Sequence, residues 1–359
     1  MLDLKEIREA LHKIPERGFC EYKTQEFLLS VLANLKQIKT HTFKKQTGIL
    51  VEYSFGKGDY TLFRAEMDGL IIGENTNLSF QSKHNGMMHA CGHDVHMTIL
   101  IGLIQKVVEK RFERNLLFLF QPAEEDVSGA ARIVDSGVLD QFLITRCYAC
   151  HITSSLAVGE VSSKSGTLFA VPQEFDITIL GKSAHAAKAH LGKNALLAAS
   201  ELALKISKLK TKNQVVNIGM LNCGTARNSI AAFAKLFGTH RVLDVASSNR
   251  LSQKIRVLCN LIADKYSVEC SLTLGATTKP VLNNAKLLKE FRKKLPEDVK
   301  YVLAQPAFTA DDFGVFSNIY PSVMFWLGCG KSDEDIHSDR FNPEISCIDV
   351  AIKIFSKLL

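Results

Sequence analysis

The alternation of apolar and polar residues along the first part of the chain predicts helices and strands in turn. Apolar residues at helical spacing and strand-forming runs bounded by glycine or polar turns are the two signals. The elements expected before residue 153 are two helices within 3–36 separated by a break at Pro15–Gly18, strands at Thr47–Phe55 and Asp59–Arg64 joined by a turn at 56–58, a helix at His96–Arg111, a strand at Asn115–Phe120, a helix over 127–139 and a strand at Arg146–Ile152. Asn115–Phe120 reads NLLFLF, which is typical of a strand buried on both faces.

The pattern changes after about residue 170. The elements expected there are a strand at Glu174–Leu180, an amphipathic helix at Gly192–Lys208, strands at Gln214–Leu221 and Ala232–Gly238, a helix at Ser247–Tyr266 and a strand at Ser267–Leu274. This β-α-β-β-α-β order is that of a two-layer α+β module. After Pro280 a buried strand at 322–328 and a final helix at Ile348–Leu359 follow. We therefore expect an α/β domain formed by 1–168 and 280–359, interrupted by an α+β domain at 169–279.

Composition and charge exclude several classes of protein. The length of 359 residues favours two domains. Hydrophobic residues make up 46% and charged residues 23%, as is typical of folded globular proteins. Its net charge of +7 is spread over scattered residues without a basic tract interleaved with aromatics, so we expect no nucleic-acid partner. No signal peptide or membrane-spanning segment is expected. The nine cysteines are then expected to be reduced thiols in a cytoplasmic protein.

Metal-binding residue types occur in four clusters along the chain. These are His89–His96, the stretch FQPAEED at 120–126, CHI at 150–152 and DIHSDRF at 335–341. The first three lie where predicted strands end, and the carboxyl ends of strands in α/β sheets are where sites form. Glu124 and Glu125 directly follow the buried strand, where two adjacent carboxylates would repel each other unless a cation were present.

Thiolate, imidazole and carboxylate donors together indicate the class of metal. The candidate ligands are Cys91, His93, Glu125, His151 and His337. Such a set suits borderline divalent ions such as zinc, manganese, cobalt or nickel, whereas calcium and magnesium prefer oxygen ligands. Two ions could share this set, which would leave one of the two glutamates free to act as a general base.

Two other interpretations remain open on these residues. Cys91 could be a nucleophile with His93 or His96 as its base, although the paired glutamates and the distant histidines then have no role. A metal-dependent binding protein without activity is the other alternative. The CxxC spacing at 147–150 lies in a predicted strand, so we interpret it as two packing cysteines and not as a redox pair.

The motifs carry a resemblance that extends over essentially the whole chain. They include LHKIPERGFCEYKTQEFL at 11–28, FRAEMDGL, MMHACGHDVHMTILIG, LFLFQPAEE, GKSAHAA, GTARNSIAAFAKLFGTHR, ADDFGVF and IHSDRFNPE. With them the chain resembles the M20 metallopeptidase and amidohydrolase family, in particular the branch of aminoacylases, hippurate hydrolases and N-acetyldiaminopimelate deacetylases. The resemblance implies a zinc-peptidase-like catalytic domain with a mixed central sheet flanked by helices. It also implies that the inserted domain is a ferredoxin-like lid through which the protein forms a homodimer.

The resemblance also assigns roles to individual residues. It implies two divalent ions per subunit held by the five candidate ligands, with Glu124 as general base. Asp68 and Asp94 are similar to residues that orient ligands or the metal-bound water, and Asp68 counts with Glu124 among the catalytic groups. His185 resembles a lid histidine that stabilises the oxyanion. The resemblance further implies that Asn228 and Arg241 contact the substrate.

The sequence departs from the family pattern at one motif, and the substrate has several candidates. Where the family usually has RADxDALP, this chain has RAEMDGLI, with Glu66, Gly69 and Ile71 at the changed positions. The leading reaction implied by the resemblance is hydrolysis of N-acetyl-L-diaminopimelate to L-diaminopimelate and acetate, a step of lysine biosynthesis. Hydrolysis of other N-acyl amino acids, of hippurate or of dipeptides is the alternative.

Overall fold

Helices and strands alternate along the structure, a computed structural model that describes residues 3–126 and 128–359. The helices are α1 (Leu4–His12), α2 (Tyr22–Leu32), α3 (His93–Lys110), α4 (Gly129–Asp135), α5 (Ala195–Ser207), α6 (Val245–Tyr266), α7 (Ala285–Lys294), α8 (Gly314–Ser317) and α9 (Cys347–Leu358). The strands are β1 (Lys39–Thr42), β2 (Ile49–Tyr53), β3 (Tyr60–Glu66), β4 (Asn115–Gln121), β5 (Ile144–Thr153), β6 (Glu160–Ser163), β7 (Gly166–Phe169), β8 (Val171–Leu180), β9 (Gln214–Cys223), β10 (Phe233–Val242), β11 (Glu269–Thr277), β12 (Val281–Asn283), β13 (Lys300–Leu303) and β14 (Ser322–Gly328).

The chain divides into two compact units. The first runs to Leu168 and resumes over Val281–Gln305 and Asp311–Leu359. The second comprises Phe169–Pro280 and a short return of the chain at Pro306–Ala310, which the sequence pattern does not indicate. No helix among residues 3–126 and 128–359 is long and apolar enough to cross a membrane.

The first unit contains a mixed eight-stranded sheet, as expected for an α/β protein. Its strand order is β1-β2-β4-β3-β5-β14-β6-β13. Strands β3, β4, β5 and β14 run parallel, so their carboxyl ends lie at one edge of the sheet. The turn expected at 56–58 does join β2 to β3, but these two strands are not neighbours, because β4 lies between them and pairs with both. The connection from β3 to its parallel neighbour β4 passes through α3, as a parallel pair requires.

Helix α3 is the central helix of this unit. It packs against α1, α9 and β3, and all of its first twelve residues are buried. It begins directly after Gly92, whose backbone is left-handed (φ 81°). A Cβ at this glycine would lie 2.2 Å from Ile152 Cδ1 in β5, so the close approach of helix to strand also requires glycine. The start of α3 is thereby fixed against the end of β5.

The second unit has a four-stranded antiparallel sheet in the order β11-β8-β10-β9. Helices α5 and α6 pack on this sheet and on each other, and their apolar sides join the strands in a separate core. Asn194 begins α5 by accepting the backbone N–H groups of Leu196 and Leu197, and Asp244 begins α6 by accepting that of Ser247. The unit therefore follows the β-α-β-β-α-β order of the sequence pattern.

The elements expected from the pattern are confirmed as helices or strands, with ends that shift by a few residues. The helix expected over 127–139 corresponds to α4, and Val127 lies outside the described residues. The pattern did not indicate several short elements, which include β1, β6, β7, β12, β13, α7 and α8. Most of these are too short to show a period of their own.

Candidate metal centre

The loop before α3 presents two of the candidate ligands. Cys91 and His93 flank Gly92, and both side chains are buried. His93 Nδ1 lies 2.8 Å from the backbone oxygen of Asp68, so the ring donates from Nδ1 and keeps the lone pair of Nε2 available. Helix α3 therefore begins with an imidazole nitrogen ready to bind a metal.

The carboxyl end of β5 presents His151 in the same way. His151 Nδ1 lies 2.9 Å from the backbone oxygen of Ile152, which leaves Nε2 with its lone pair, 3.3 Å from Cys91 Sγ. The ring also packs edge-on against Trp326 of β14. Burial lowers the pKa of His151 to about 3, so the ring is neutral and able to coordinate a cation.

The turn after β4 positions the two glutamates. Ala123 has a left-handed backbone (φ 53°), which is uncommon for a residue with a side chain and typical of functional sites. The turn is held by Glu21, which accepts the Ala123 N–H at 2.8 Å, and by Asp68, which accepts the Glu125 N–H at 2.9 Å. Glu124 is buried, whereas the Glu125 side chain is 19% exposed.

His337 reaches the same place from the last part of the chain. Its backbone is left-handed (φ 68°) and its N–H donates to the backbone oxygen of Ala90 at 2.8 Å. Nε2 lies 3.3 Å from Cys91 Sγ and 3.6 Å from Glu125 Oε1. The side chain is half exposed, so this side of the cluster faces solvent.

All five candidate ligands thus come together, although they are spread over 246 positions of sequence from Cys91 to His337. Three overlapping groups each have their donor atoms within 4.8 Å of one another: Cys91 with His93 and His151, Cys91 with Glu125 and His337, and His93 with Glu124 and Glu125. Cys91, His93 and Glu125 each belong to two groups. Overlap of this kind is what two neighbouring ions with shared ligands require.

Carboxylates outnumber permanent cations in the buried surroundings of this cluster. Glu124 lies near Asp311 and Asp312, with donor atoms within 4.8 Å of one another, and Arg64 is the guanidinium that binds this pair. Burial raises the pKa of Glu124 well above its usual value, and Asp311 and Glu125 add to the rise. Burial likewise raises the pKa of Glu125 to about 7. A bound cation would relieve this excess of negative charge.

A second observation supports a metal at this set of donor atoms. His93 Nε2 and Glu125 Oε1 are buried polar atoms without a hydrogen-bond partner among the described residues, and they lie 4.0 Å apart. Buried polar atoms are nearly always satisfied, so two such atoms facing each other indicate a missing partner. Sulfur, nitrogen and oxygen donors at one place match a borderline divalent ion.

The same surroundings disfavour Cys91 as a nucleophile. Burial raises the pKa of its thiol well above the usual value, and the neighbouring carboxylates Glu125 and Glu124 raise it further. The thiolate is the reactive form of cysteine and is normally stabilised by nearby positive charge. A metal ion would stabilise this thiolate, whereas the protein groups alone do not.

Asp68 and Asp94 occupy different surroundings. Asp68 contacts both His93 and Glu125, through its backbone oxygen and its carboxylate respectively. Asp94 Oδ2 instead accepts from Arg8 Nε at 2.9 Å and lies 2.8 Å from His12 Nδ1, both on α1. Asp94 therefore ties α1 to the start of α3, and among the described residues its carboxylate makes no hydrogen bond to a candidate ligand.

The three residues to which the resemblance assigns lid or substrate roles lie in the second unit. His185 and Asn228 lie on paired segments, because the Ala186 N–H donates to the Asn228 backbone oxygen at 3.0 Å, and both side chains are exposed. Arg241 is elsewhere in this unit, where its Nη1 donates to the Phe308 backbone oxygen at 2.9 Å. The unit thus brings His185 and Asn228 together and gives Arg241 a partner in the return segment.

The structure explains two of the three departing positions of the changed motif RAEMDGLI, Glu66 and Gly69, and nothing in it explains Ile71. Glu66 is fully buried and contacts Arg64 and His96. Gly69 has no room for a side chain, because a Cβ would lie 2.7 Å from Pro15 Cβ. Ile71 is 70% exposed. None of the three removes a candidate ligand.

Sequence reasoning missed the buried polar residues that surround the cluster. They are Glu21, Arg64, Asp311 and Asp312, and the sequence named the equally buried Glu66 and His96 only as a changed motif position and as a possible base for Cys91. Charged residues inside strand-like stretches, as in FRAEMDGL and ADDFGVF, were the available signal. Their partners lie far away in sequence, so the pattern alone does not show that they are buried.

The chain belongs to the peptidase family M20/M25/M40, whose model matches residues 62–359. It is 38% identical to an N-acetyldiaminopimelate deacetylase of Shouchella clausii over 98% of this chain and 96% of that protein. It is 37% identical to a protein of the same name from Bacillus subtilis, over 99% of this chain and 97% of that protein.

Among solved structures, the fold is similar to a Bacillus subtilis protein described as a dinuclear metal binding peptidase of the M20 family. The TM-score is 0.87 at 28% identity, over 99% of this chain and 96% of that chain. The family assigned from the sequence motifs and the mixed α/β fold are therefore confirmed.

Proposed function

We propose that this protein is a metal-dependent amidohydrolase that removes the acetyl group of N-acetyl-L-diaminopimelate. The observation that carries the proposal is the convergence of thiol, imidazole and carboxylate donors around buried, unpartnered Nε2 and Oε1 atoms. The names of full-length relatives at 37–38% identity support the choice of substrate. The alternatives are other N-acyl amino acids, hippurate and dipeptides.

The proposed ligands of two divalent ions are Cys91, His93, Glu125, His151 and His337. Zinc, manganese, nickel and cobalt all suit these donors. When bound, the ions would lower the pKa of a shared water and polarise the amide carbonyl. Asp68 would orient the site, because it holds both the His93 ring and the Glu125 backbone.

Glu124 is proposed as the general base. Its carboxylate lies beside the donor atoms of His93 and Glu125 but is not needed in the set of five ligands. It would take a proton from the attacking water and deliver it to the amine nitrogen as the C–N bond breaks. Such proton transfer contributes on the order of 10²–10⁴ in rate. The products are acetate and the free amine of diaminopimelate.

The second unit is proposed to act as the lid, with His185 as a donor to the oxyanion of the tetrahedral intermediate. The Ala187 N–H donates to His185 Nδ1 at 3.1 Å, so the neutral ring carries its proton on Nε2. A neutral Nε2–H is a suitable oxyanion donor. We propose Asn228, on the segment paired with His185, and Arg241 as further substrate contacts.

A homodimer is proposed through the edge of the second unit. Strand β9 ends the antiparallel sheet, and Met220 is 55% and Leu221 40% exposed. Exposed apolar residues on an unpaired edge strand are typical of sheets that extend across two copies. Analytical ultracentrifugation should give a dimer, and Met220→Lys should shift it toward monomer.

The substrate proposal is tested by amine release from chelator-stripped protein with and without Mn²⁺ or Zn²⁺. The panel is N-acetyl-L-diaminopimelate, N-acetyl-methionine, hippurate and a dipeptide. Metal-restored activity strongest on N-acetyl-L-diaminopimelate is expected. Metal-restored activity strongest on another compound would overturn the substrate, and activity on none would overturn the proposed function.

A further inference from the structure

A buried histidine that is not a candidate ligand lies between two of the three histidines that are, His93 and His151. His96 is on the first turn of α3, and its ring centroid lies 5.7 Å from that of His93 and 4.8 Å from that of His151. Its side chain is almost completely buried. Most buried polar groups in folded proteins have hydrogen-bond partners, so the partners of both His96 ring nitrogens matter.

Both ring nitrogens of His96 are engaged by other protein groups. The Ile152 backbone N–H donates to Nε2 at 3.0 Å, and Nδ1 lies 2.7 Å from Glu66 Oε2. A backbone N–H can only donate, so Nε2 must be the acceptor and the ring proton is on Nδ1, where it is donated to Glu66. Although His96, Glu66 and His93 have donor atoms within 4.8 Å of one another, His96 has no lone pair left for a metal.

Ile152, whose N–H is held by His96, also orients His151 through its carbonyl in the next peptide group. The Ile152 N–H binds His96, and the Ile152 carbonyl accepts from His151 Nδ1 at 2.9 Å. This second bond turns His151 Nε2 toward Cys91 Sγ, 3.3 Å away. A change at His96 therefore reaches the proposed ligand through one backbone residue.

Glu66 is in turn fixed as an acceptor. The Arg64 guanidinium donates to Glu66 Oε1, and Glu66 Oε2 faces His96 Nδ1 at 2.7 Å, so both carboxylate oxygens serve as acceptors. Arg64 is anchored by Gln121 Oε1 at 2.8 Å and by Asp312 Oδ1 at 2.7 Å. The carboxylate at 66 therefore lies in a network that spans the carboxyl ends of β3 and β4.

We propose that His96 is a positioning residue of the metal centre, which Glu66 keeps in the Nδ1–H form so that Nε2 holds the Ile152 N–H and directs His151 toward the metal. The proposal rests on the proposed function for its consequence in catalysis. Its structural part, the proton position and the bond to Ile152, stands on the geometry alone.

The variants that test it differ in the hydrogen bonds they keep. His96→Gln retains one donor and one acceptor, whereas His96→Leu retains neither. Glu66→Gln keeps the shape but places an amide N–H group against His96 Nδ1 when its oxygen faces Arg64, which favours the opposite tautomer. His240→Leu is the matched control, since His240 is equally buried in the second unit and bonds Ser252 Oγ at 3.0 Å.

Two readouts that do not need turnover are measured on chelator-stripped full-length protein. The first is Co²⁺ affinity by competition with a chromophoric chelator, together with the visible absorption of bound Co²⁺. We expect His96→Leu and Glu66→Gln to weaken binding about 10–100-fold and to alter the absorption, since loss of a ligand's supporting bond has this effect. His96→Gln should recover most of the affinity, and His240→Leu should match the wild type.

The second readout is the tautomer of His96, from nitrogen-15 chemical shifts of metal-free wild type, with His96→Gln for assignment. A proton on Nδ1 is expected. A proton on Nε2, or on both nitrogens, would overturn the proposal even if no metal bound and no substrate turned over. Wild-type affinity and absorption in both His96→Leu and Glu66→Gln would overturn it as well. Metal binding without hydrolysis in the wild type would instead count against the proposed function.

Discussion

Replacing Gly92 by alanine disturbs the centre at the residue between two proposed ligands, Cys91 and His93. The added Cβ meets two separate obstacles. The backbone at Gly92 is left-handed (φ 81°), and the Cβ would lie 2.2 Å from Ile152 Cδ1 and 2.8 Å from its Cγ1. The isoleucine side chain, the backbone of the loop or both must move.

The two obstacles have separate magnitudes. A left-handed conformation costs a residue with a Cβ about 1–2 kcal/mol. Inserting a methyl group into a packed interior costs typically about 1–3 kcal/mol more, because side chains leave their preferred rotamers. We therefore expect Gly92→Ala to lower the free energy of unfolding by about 2–5 kcal/mol. Since Ile152 also holds His151, metal affinity should fall with it.

The matched control is Gly86→Ala. Gly86 is also left-handed (φ 75°), but nothing lies within 4 Å of a Cβ placed there. It should therefore show the backbone part alone, about 1–2 kcal/mol. Both variants are unfolded in urea with excess chelator, so that metal binding does not contribute to the difference. If Gly92→Ala were no less stable than Gly86→Ala, the close approach of α3 to β5 would be refuted.

The structure predicts the effects of three further changes, at Cys91, His185 and His12. Cys91→Ser should weaken metal binding, and unchanged affinity in a chelator competition would exclude Cys91 as a ligand. His185→Ala should lower kcat about 10²–10³-fold at unchanged metal content, as for loss of an oxyanion donor, and a normal kcat would refute that role. Burial lowers the pKa of His12, but Asp94 outweighs it and the net pKa rises to about 9 from 6.5. Because the pKa of His12 is higher in the folded state than in the unfolded state, protonated His12 stabilises the folded protein by about 3 kcal/mol below pH 6.5. This contribution to the free energy of unfolding is lost as the pH rises toward 9. Urea unfolding against pH should show that loss in wild type and not in His12→Gln.

Local pattern predicted the elements of the fold better than their neighbours in the sheet. The run NLLFLF was recognisable as a buried strand, and β4 is buried at every position. That β4 would insert between β2 and β3 could not be seen, because strand pairing depends on long-range contacts that leave no mark on local periodicity. The short turn between β2 and β3 gave the opposite impression of two adjacent strands.

The candidate site likewise contains residues that the sequence pattern indicates and residues whose role only the fold reveals. Cysteine and histidine in soluble proteins are uncommon enough that a cluster such as CGHDVH indicates metal chemistry by itself. Arg64 and Asp312 look like ordinary charged residues in sequence, and only the fold shows that they are buried and joined by a 2.7 Å bond. The bonds that orient the proposed ligands also come largely from backbone oxygens, as for His93 and Asp68, and these have no sequence signature at all.

The measurement that tests the account most directly is a metal titration of chelator-stripped protein with N-acetyl-L-diaminopimelate present, made in parallel on wild type and Glu124→Gln. We expect wild-type turnover to rise as two ions bind per chain and then to level off. Glu124→Gln should bind the same number of ions without turnover. Wild-type activity that is independent of added metal, or wild-type turnover in Glu124→Gln, would contradict the account.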